Sequence, residues 1–288
     1  MDLRSLVGDN FFFPSEIYPH IHTGYRLVFM MATVRRMASR QAAGLKILEI
    51  GSWCGASMAV WAESLAKYAS RSPGHEEEAT QSSIVCVDPW GTYINESDLA
   101  KGGGYLQMAS ALKTGAARSC FIHNASVAEQ KFGVSVMDFH GDSKRVLPML
   151  QDSSFDIVYV DGSHYYDDVI SDLREARRLC KNGGMICGDD LEIQFDQVDL
   201  DHAIKNIGED MIEDPSSGKN YHPGVTVGLG QSYGLVSAFP GAYWCVDSLD
   251  GQLQKVDFSP ADLGSIFIPS SLPPESAAKF FNLVSNHR

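Results

Sequence analysis

The chain has 288 residues, 44% of them hydrophobic and 20% charged, which excludes a disordered protein and supports a full buried core. A formal net charge of −13 argues against a nucleic-acid partner, because neutralising phosphates takes a basic face. No basic-then-apolar signal pattern opens the chain and no apolar run approaches the roughly 20 residues of a membrane span, so a cytoplasmic protein without a membrane partner is expected.

Apolar positions at helical spacing (Leu27, Met30, Met31, Val34, Met37, Ala38) predict an amphipathic helix over Leu27 to Ala43, stopped by Gly44. Leu45 to Ile50 reads as a strand, Gly51 to Gly55 as a tight turn, and Ser57 to Tyr68 as the next helix. A polar loop over Ser70 to Ser83 separates this from a second buried strand, Ile84 to Val87. The stretch Gly91 to Gly104 lacks clear periodicity and suits a lid or binding loop. Helices are expected over Tyr105 to Leu112, Ala117 to Gln130 and Tyr166 to Cys180. Further strands are expected over Val134 to Phe139, Phe155 to Val160 and Met185 to Cys187. Beyond Asp190 a helix around Leu200 to Ile207 precedes a polar segment, Asp214 to Gly224. Two strand candidates follow, Gly234 to Phe239 and Ala242 to Val246. The alternation predicts an α/β fold: a Rossmann-like, mostly parallel sheet with helices on both faces and an antiparallel edge strand near the C-terminus.

The cysteines are scattered without a C-x-x-C pair, and several lie inside apolar runs, which fits reduced thiols rather than disulfides or a zinc site. The sharpest motif is Glu49-Ile50-Gly51-Ser52-Trp53-Cys54-Gly55-Ala56-Ser57, a glycine turn between a strand and a helix whose backbone N–H groups can face a ligand. Its spacing is not the G-x-G-x-x-G of dinucleotide folds, which weighs against a nicotinamide oxidoreductase. The acid ahead of the turn would repel a pyrophosphate but suits a ligand with a cationic amino-acid end. Asp88, closing the second strand, can accept ribose hydroxyls, or it can simply cap the turn before Pro89. His140-Gly141-Asp142-Ser143 follows the third strand.

Asp161 ends the fourth strand, and Asp189 and Asp190 end the fifth. Parallel strands open on one sheet edge, so these carboxylates should converge, and they would repel strongly without a cation. Oxygen-only donors favour Mg²⁺, or Ca²⁺ or Mn²⁺, over zinc. The alternative is a solvated Asp-Asp turn.

From about Leu45 to Asp190 this order of motifs resembles class I S-adenosylmethionine-dependent methyltransferases. The likeness is to the metal-dependent small-molecule O-methyltransferases: the catechol and caffeoyl-CoA type and the sugar O-methyltransferases of macrolide and aminocoumarin natural-product biosynthesis. The resemblance implies S-adenosylmethionine as donor, held at Glu49, Gly51, Ser57, Asp88, Asp142 and Ser143. It also implies a divalent cation, Mg²⁺ by preference, on Asp161, Asp189 and Asp190. The catechol type carries a lysine base three residues after the first metal aspartate. His164 stands there in this chain, and either His164 or Asp161 could remove the acceptor proton.

The expected organisation is a helical cap or oligomer segment over 1–44, the methyltransferase domain over 45–250, and a C-terminal extension over 251–288 packed on it. The acceptor would be a small molecule such as a glycoside or phenol, and the apolar N-terminal helix allows a homo-oligomer. A metal-independent N- or C-methyltransferase of the same fold is the alternative. Phe11 to Phe13 could close over the acceptor or pack as ordinary core.

Overall fold

A computed structural model describes residues 2–14, 24–41, 44–69, 81–258 and 267–270. In chain order the elements are α1 (Leu3–Val7), α2 (Gly24–Arg40), β1 (Lys46–Ile50), α3 (Ala56–Tyr68), β2 (Ser83–Asp88), α4 (Glu96–Ala100), α5 (Gly104–Lys113), α6 (Ala116–Phe132) and β3 (Ser135–His140). There follow α7 (Ser143–Val146), β4 (Phe155–Val160), α8 (Tyr166–Leu179), β5 (Cys180–Gly188), α9 (Leu200–Lys205), β6 (Ile212–Glu213), β7 (Asn220–Tyr221) and α10 (Pro223–Tyr233). Strands β8 (Ser237–Phe239), β9 (Tyr243–Leu249) and β10 (Gln252–Lys255) complete the series.

Strands β3-β2-β1-β4-β5 are parallel, and β9 adds antiparallel to β5. The outer edge of β9 is shared, with β8 on Tyr243–Cys245 and β10 on Val246–Leu249. Successive residues on the central strands serve opposite faces. Ile47, Ile157 and Met185 join one core with Met30, Trp61 and Phe121, which places α2, α3 and α6 on that side. Leu48, Val158 and Ile186 join the other with Leu173, Leu179, Val225 and Leu229, from α8 and α10. The strand order reverses at β1, so the turns after β1 and β4 flank the crevice where an open α/β sheet binds its ligand.

Four elements depart from the sequence expectation. Helix α2 begins at Gly24, which brings Arg26 onto its first turn; Ala42 and Ala43 lie outside the described residues. The loop after β2 contains α4, started by Asn95, whose side chain accepts from Asp98 N at 2.8 Å. The polar segment Asp214 to Gly224 carries the turn and second strand of the β6–β7 hairpin and opens α10. Its glycines look like helix breakers in sequence, but they are contact points. A Cβ at Gly224 would lie 2.2 Å from His164 O, and one at Gly228 or Gly230 would collide with Val169 or Phe195. Phe11, Phe12 and Phe13 pack against the first core. Among the described residues no helix is long and apolar enough to cross a membrane, and all six cysteines are buried free thiols.

Candidate active site

The β1–α3 turn is built by close approach. Gly51 has φ +85° and its missing Cβ would sit 2.0 Å from Asp161 O, so the turns after β1 and β4 touch backbone to backbone. Asp161 N donates to Ile50 O at 2.9 Å and Gly51 N donates to Val87 O at 2.9 Å, locking the three strand ends together. Gly55, also at positive φ, starts α3 and packs under Phe121. Trp53 and Trp90 hold left-handed backbone, at φ 45° and 40°, and the Trp90 indole N–H donates to Trp53 O at 2.7 Å.

Asp88 serves this turn directly. Its Oδ2 accepts from Ser52 N (3.0 Å) and Trp53 N (2.9 Å), and its Oδ1 accepts from Trp90 N (2.6 Å). Asp88 thus caps the turns, and it also lines the cavity. Burial pushes its carboxyl up despite these three donors. Glu49 departs from expectation. It is fully buried with Ser57, Ser52 and Cys86 around its carboxyl, and it supports the turn from beneath without lining the cavity.

The cavity holds about 400 Å³, within the range of small-ligand sites, and runs from this turn to the ends of β4 and β5. Gly51, Ser57, Asp88, Asp142 and Ser143 line one end, and Asp161, His164, Asp189 and Asp190 line the other. Asp142 caps α7 by accepting from Lys144 N at 2.9 Å, while the Ser143 hydroxyl meets the buried carboxyl of Asp172. Burial, with Asp168 and Asp142 close by, pushes Asp172 up to about 7.

Asp161, Asp189 and Asp190 converge as expected, with one oxygen of each within 4.8 Å of the others. Asp190 sits at φ 66°, and its N–H donates to Asp189 Oδ1 at 2.8 Å. The sequence did not foresee the cations already there. Arg26 Nη2 lies 3.1 Å from Asp161 Oδ2 and also pairs with Asp189 Oδ2. His164 Nε2 lies 3.0 Å from Asp190 Oδ2, and its Nδ1 lies 2.8 Å from Asp210 Oδ1. Burial and the Asp190 charge push Asp189 up to about 6. Asp190 is held well below its ordinary range: burial would raise it, but the His164 charge prevails. Burial would likewise lower His164, but Asp190 and Asp210 hold it well above the ordinary histidine value. His222, its ring 4.2 Å from that of His164, pairs with Glu192 through Nδ1 at 3.0 Å.

Residues 48–191, half of the chain, match the family described as methyltransferase domain. The chain belongs to that family. This methyltransferase therefore uses S-adenosylmethionine, as the order of its motifs implies. Its fold matches that of the O-methyltransferase NovP with a TM-score of 0.50 at 11% identity, covering 81% of this chain and 80% of that one. A Bacillus cereus O-methyltransferase solved in complex with SAH gives a TM-score of 0.42 at 15% identity, over 80% and 84% of the two chains. CalS11, a TDP-rhamnose 3'-O-methyltransferase, gives 0.40 at 16% identity over 76% of each. No curated protein sequence matches the methyltransferase.

Arg26, Asp210, His222 and Tyr243 all lie outside the family-matched span, yet they surround its acidic cluster. No spacing in the sequence singles them out. The nearest signal is His222-Pro223, a helix start with Pro in the first turn.

Proposed function

We propose that the chain transfers the methyl group of S-adenosylmethionine to a hydroxyl oxygen of a small molecule, assisted by a divalent cation, Mg²⁺ by donor chemistry. The observation that carries this reading is one cavity joining the glycine turn and Asp88 to three converging carboxylates and His164. The donor set is all oxygen, which fits a hard cation. When bound on Asp161, Asp189 and Asp190, the ion would supply Lewis acidity toward the acceptor hydroxyl.

The chain's own residues do the rest. The β1–α3 turn, Asp88, Asp142 and Ser143 hold the donor with its methyl toward the acidic end. The acceptor oxygen attacks the methyl carbon, the carbon–sulfur bond breaks, and its electron pair stays on sulfur, giving S-adenosylhomocysteine. The acceptor proton leaves to His164 Nε2 or to Asp161. Between Asp190 and Asp210 the His164 ring is held protonated, so it can take the acceptor proton only after its own Nε2 proton has left to solvent, a loss that becomes easier when a cation engages the charge of Asp190. Cavity volume and the net charge of −13 support a small acceptor, such as a glycoside or phenol, over a nucleic acid.

One observation favours a second reading. Arg26 already neutralises Asp161 and Asp189, which suits a metal-independent N- or C-methyltransferase. Calorimetric titration with S-adenosylhomocysteine, followed by methyl transfer to diols and glycosides with Mg²⁺ or EDTA, separates the two. EDTA-sensitive transfer to a hydroxyl is expected; hydroxyl transfer indifferent to EDTA would remove the cation from the reading, and EDTA-indifferent transfer to amine or carbon acceptors alone would select the second. Asp161→Ala should abolish turnover while donor-product binding persists.

A further inference from the structure

We infer that Arg26 and the divalent cation are mutually exclusive occupants of the same carboxylates, so metal binding must displace the Arg26 guanidinium from them. The inference rests on the metal reading above. One guanidinium nitrogen, Nη2, reaches both Asp161 Oδ2 and Asp189 Oδ2. A cation ligated by those residues would sit at about 2.0–2.6 Å from their oxygens, too close to that nitrogen for both to be present. The pocket is poorly solvated: the side chains of Arg26, Asp161 and Asp189 are 13%, 16% and 8% exposed. Two cations in contact there would repel with little screening.

The helix itself is anchored from the next residue onward. Leu27, Phe29, Met30, Met31, Val34 and Met37 are buried in the core. Further along α2, Arg40 grips Asp247 with two hydrogen bonds, of 3.0 and 2.6 Å, and Arg36 adds a third at 3.1 Å. The long Arg26 side chain can therefore leave the carboxylates while the helix stays docked. Without the ion, Arg26 neutralises the cluster and closes the acceptor side of the cavity. With it, the same residue is released toward the cavity mouth.

The test is titration with Mn²⁺ alone, following free Mn²⁺ by electron paramagnetic resonance. Wild type is compared with Arg26→Met, Arg26→Gln and Arg26→Lys, the fold of each checked by thermal unfolding. Removing the competing charge should tighten Mn²⁺ binding by about tenfold or more in the Met and Gln variants, with Lys close to wild type. Equal affinity in all four would overturn the competition and leave the metal reading intact. Mn²⁺ binding to none of them would overturn the metal reading and the inference with it.

Discussion

His164 Nδ1 lies 2.8 Å from Oδ1 of Asp210, whose Oδ2 accepts the Tyr105 hydroxyl at 2.6 Å. The pair aims His164 Nε2 at the acidic end of the cavity. Burial would raise Asp210, but its hydrogen bond to His164 holds it at about 2, so the carboxylate stays charged across the working range. Asp210→Asn should lower kcat by about 10²-fold with the KM for the donor unchanged, and Tyr105→Phe should lower it by severalfold. Steady-state kinetics decide this, and an unchanged kcat in Asp210→Asn would remove Asp210 from the chemistry.

Gly51 tolerates no side chain. Gly51→Ala places a Cβ against Asp161 O in a left-handed backbone, and should cost about 3 kcal/mol or more in chemical denaturation. Binding of S-adenosylhomocysteine should fall with it. Gly102→Ala isolates the backbone part of that cost, because it shares a positive φ, +74°, while its Cβ meets nothing within 4 Å.

Asp88→Asn keeps the shape of the turn but removes the charge that receives three backbone donors. Binding of S-adenosylhomocysteine should weaken by about tenfold to a hundredfold, and stability should fall by about 1–3 kcal/mol. Calorimetry and urea unfolding measure the two separately.

Asp172 gives the fold a pH dependence of known sign. Its folded value of about 7 lies above the ordinary 3.8, so its contribution is fully present below about pH 4 and is lost as pH rises through 7. Asp172→Asn should flatten the stability curve between those limits and be no less stable than wild type at pH 8. A variant with an unchanged slope over that window would assign the dependence to other groups.

The parallel core was legible because its strands are short apolar runs closed by glycine or aspartate, and the turn at Gly51 and the acids at Asp161, Asp189 and Asp190 fall at their ends. Helix α10 was hidden because Gly224, Gly228 and Gly230 lower helix propensity, and the contacts that reward them with His164, Val169 and Phe195 are tertiary. Arg26 was hidden for a related reason. The convergence of carboxylates implied a cation, but nothing local says that a helix more than a hundred residues upstream of Asp161 supplies one. Glu49 was placed in the right turn and given the wrong surface, because period-two alternation says which face a residue serves but not how deep it lies.

Trp244 donates its indole N–H to Asp189 O at 3.1 Å, and Gly188 makes room for the same ring. The acid pair thus emerges at the seam where the parallel sheet turns antiparallel. The glycine-turn half of the cavity lies in the stretch shared with the family, whereas Arg26, Asp210, His222 and Tyr243 come from the flanks. On the proposed reading, substitutions confined to those flanks should change which acceptor is methylated while binding of S-adenosylhomocysteine persists.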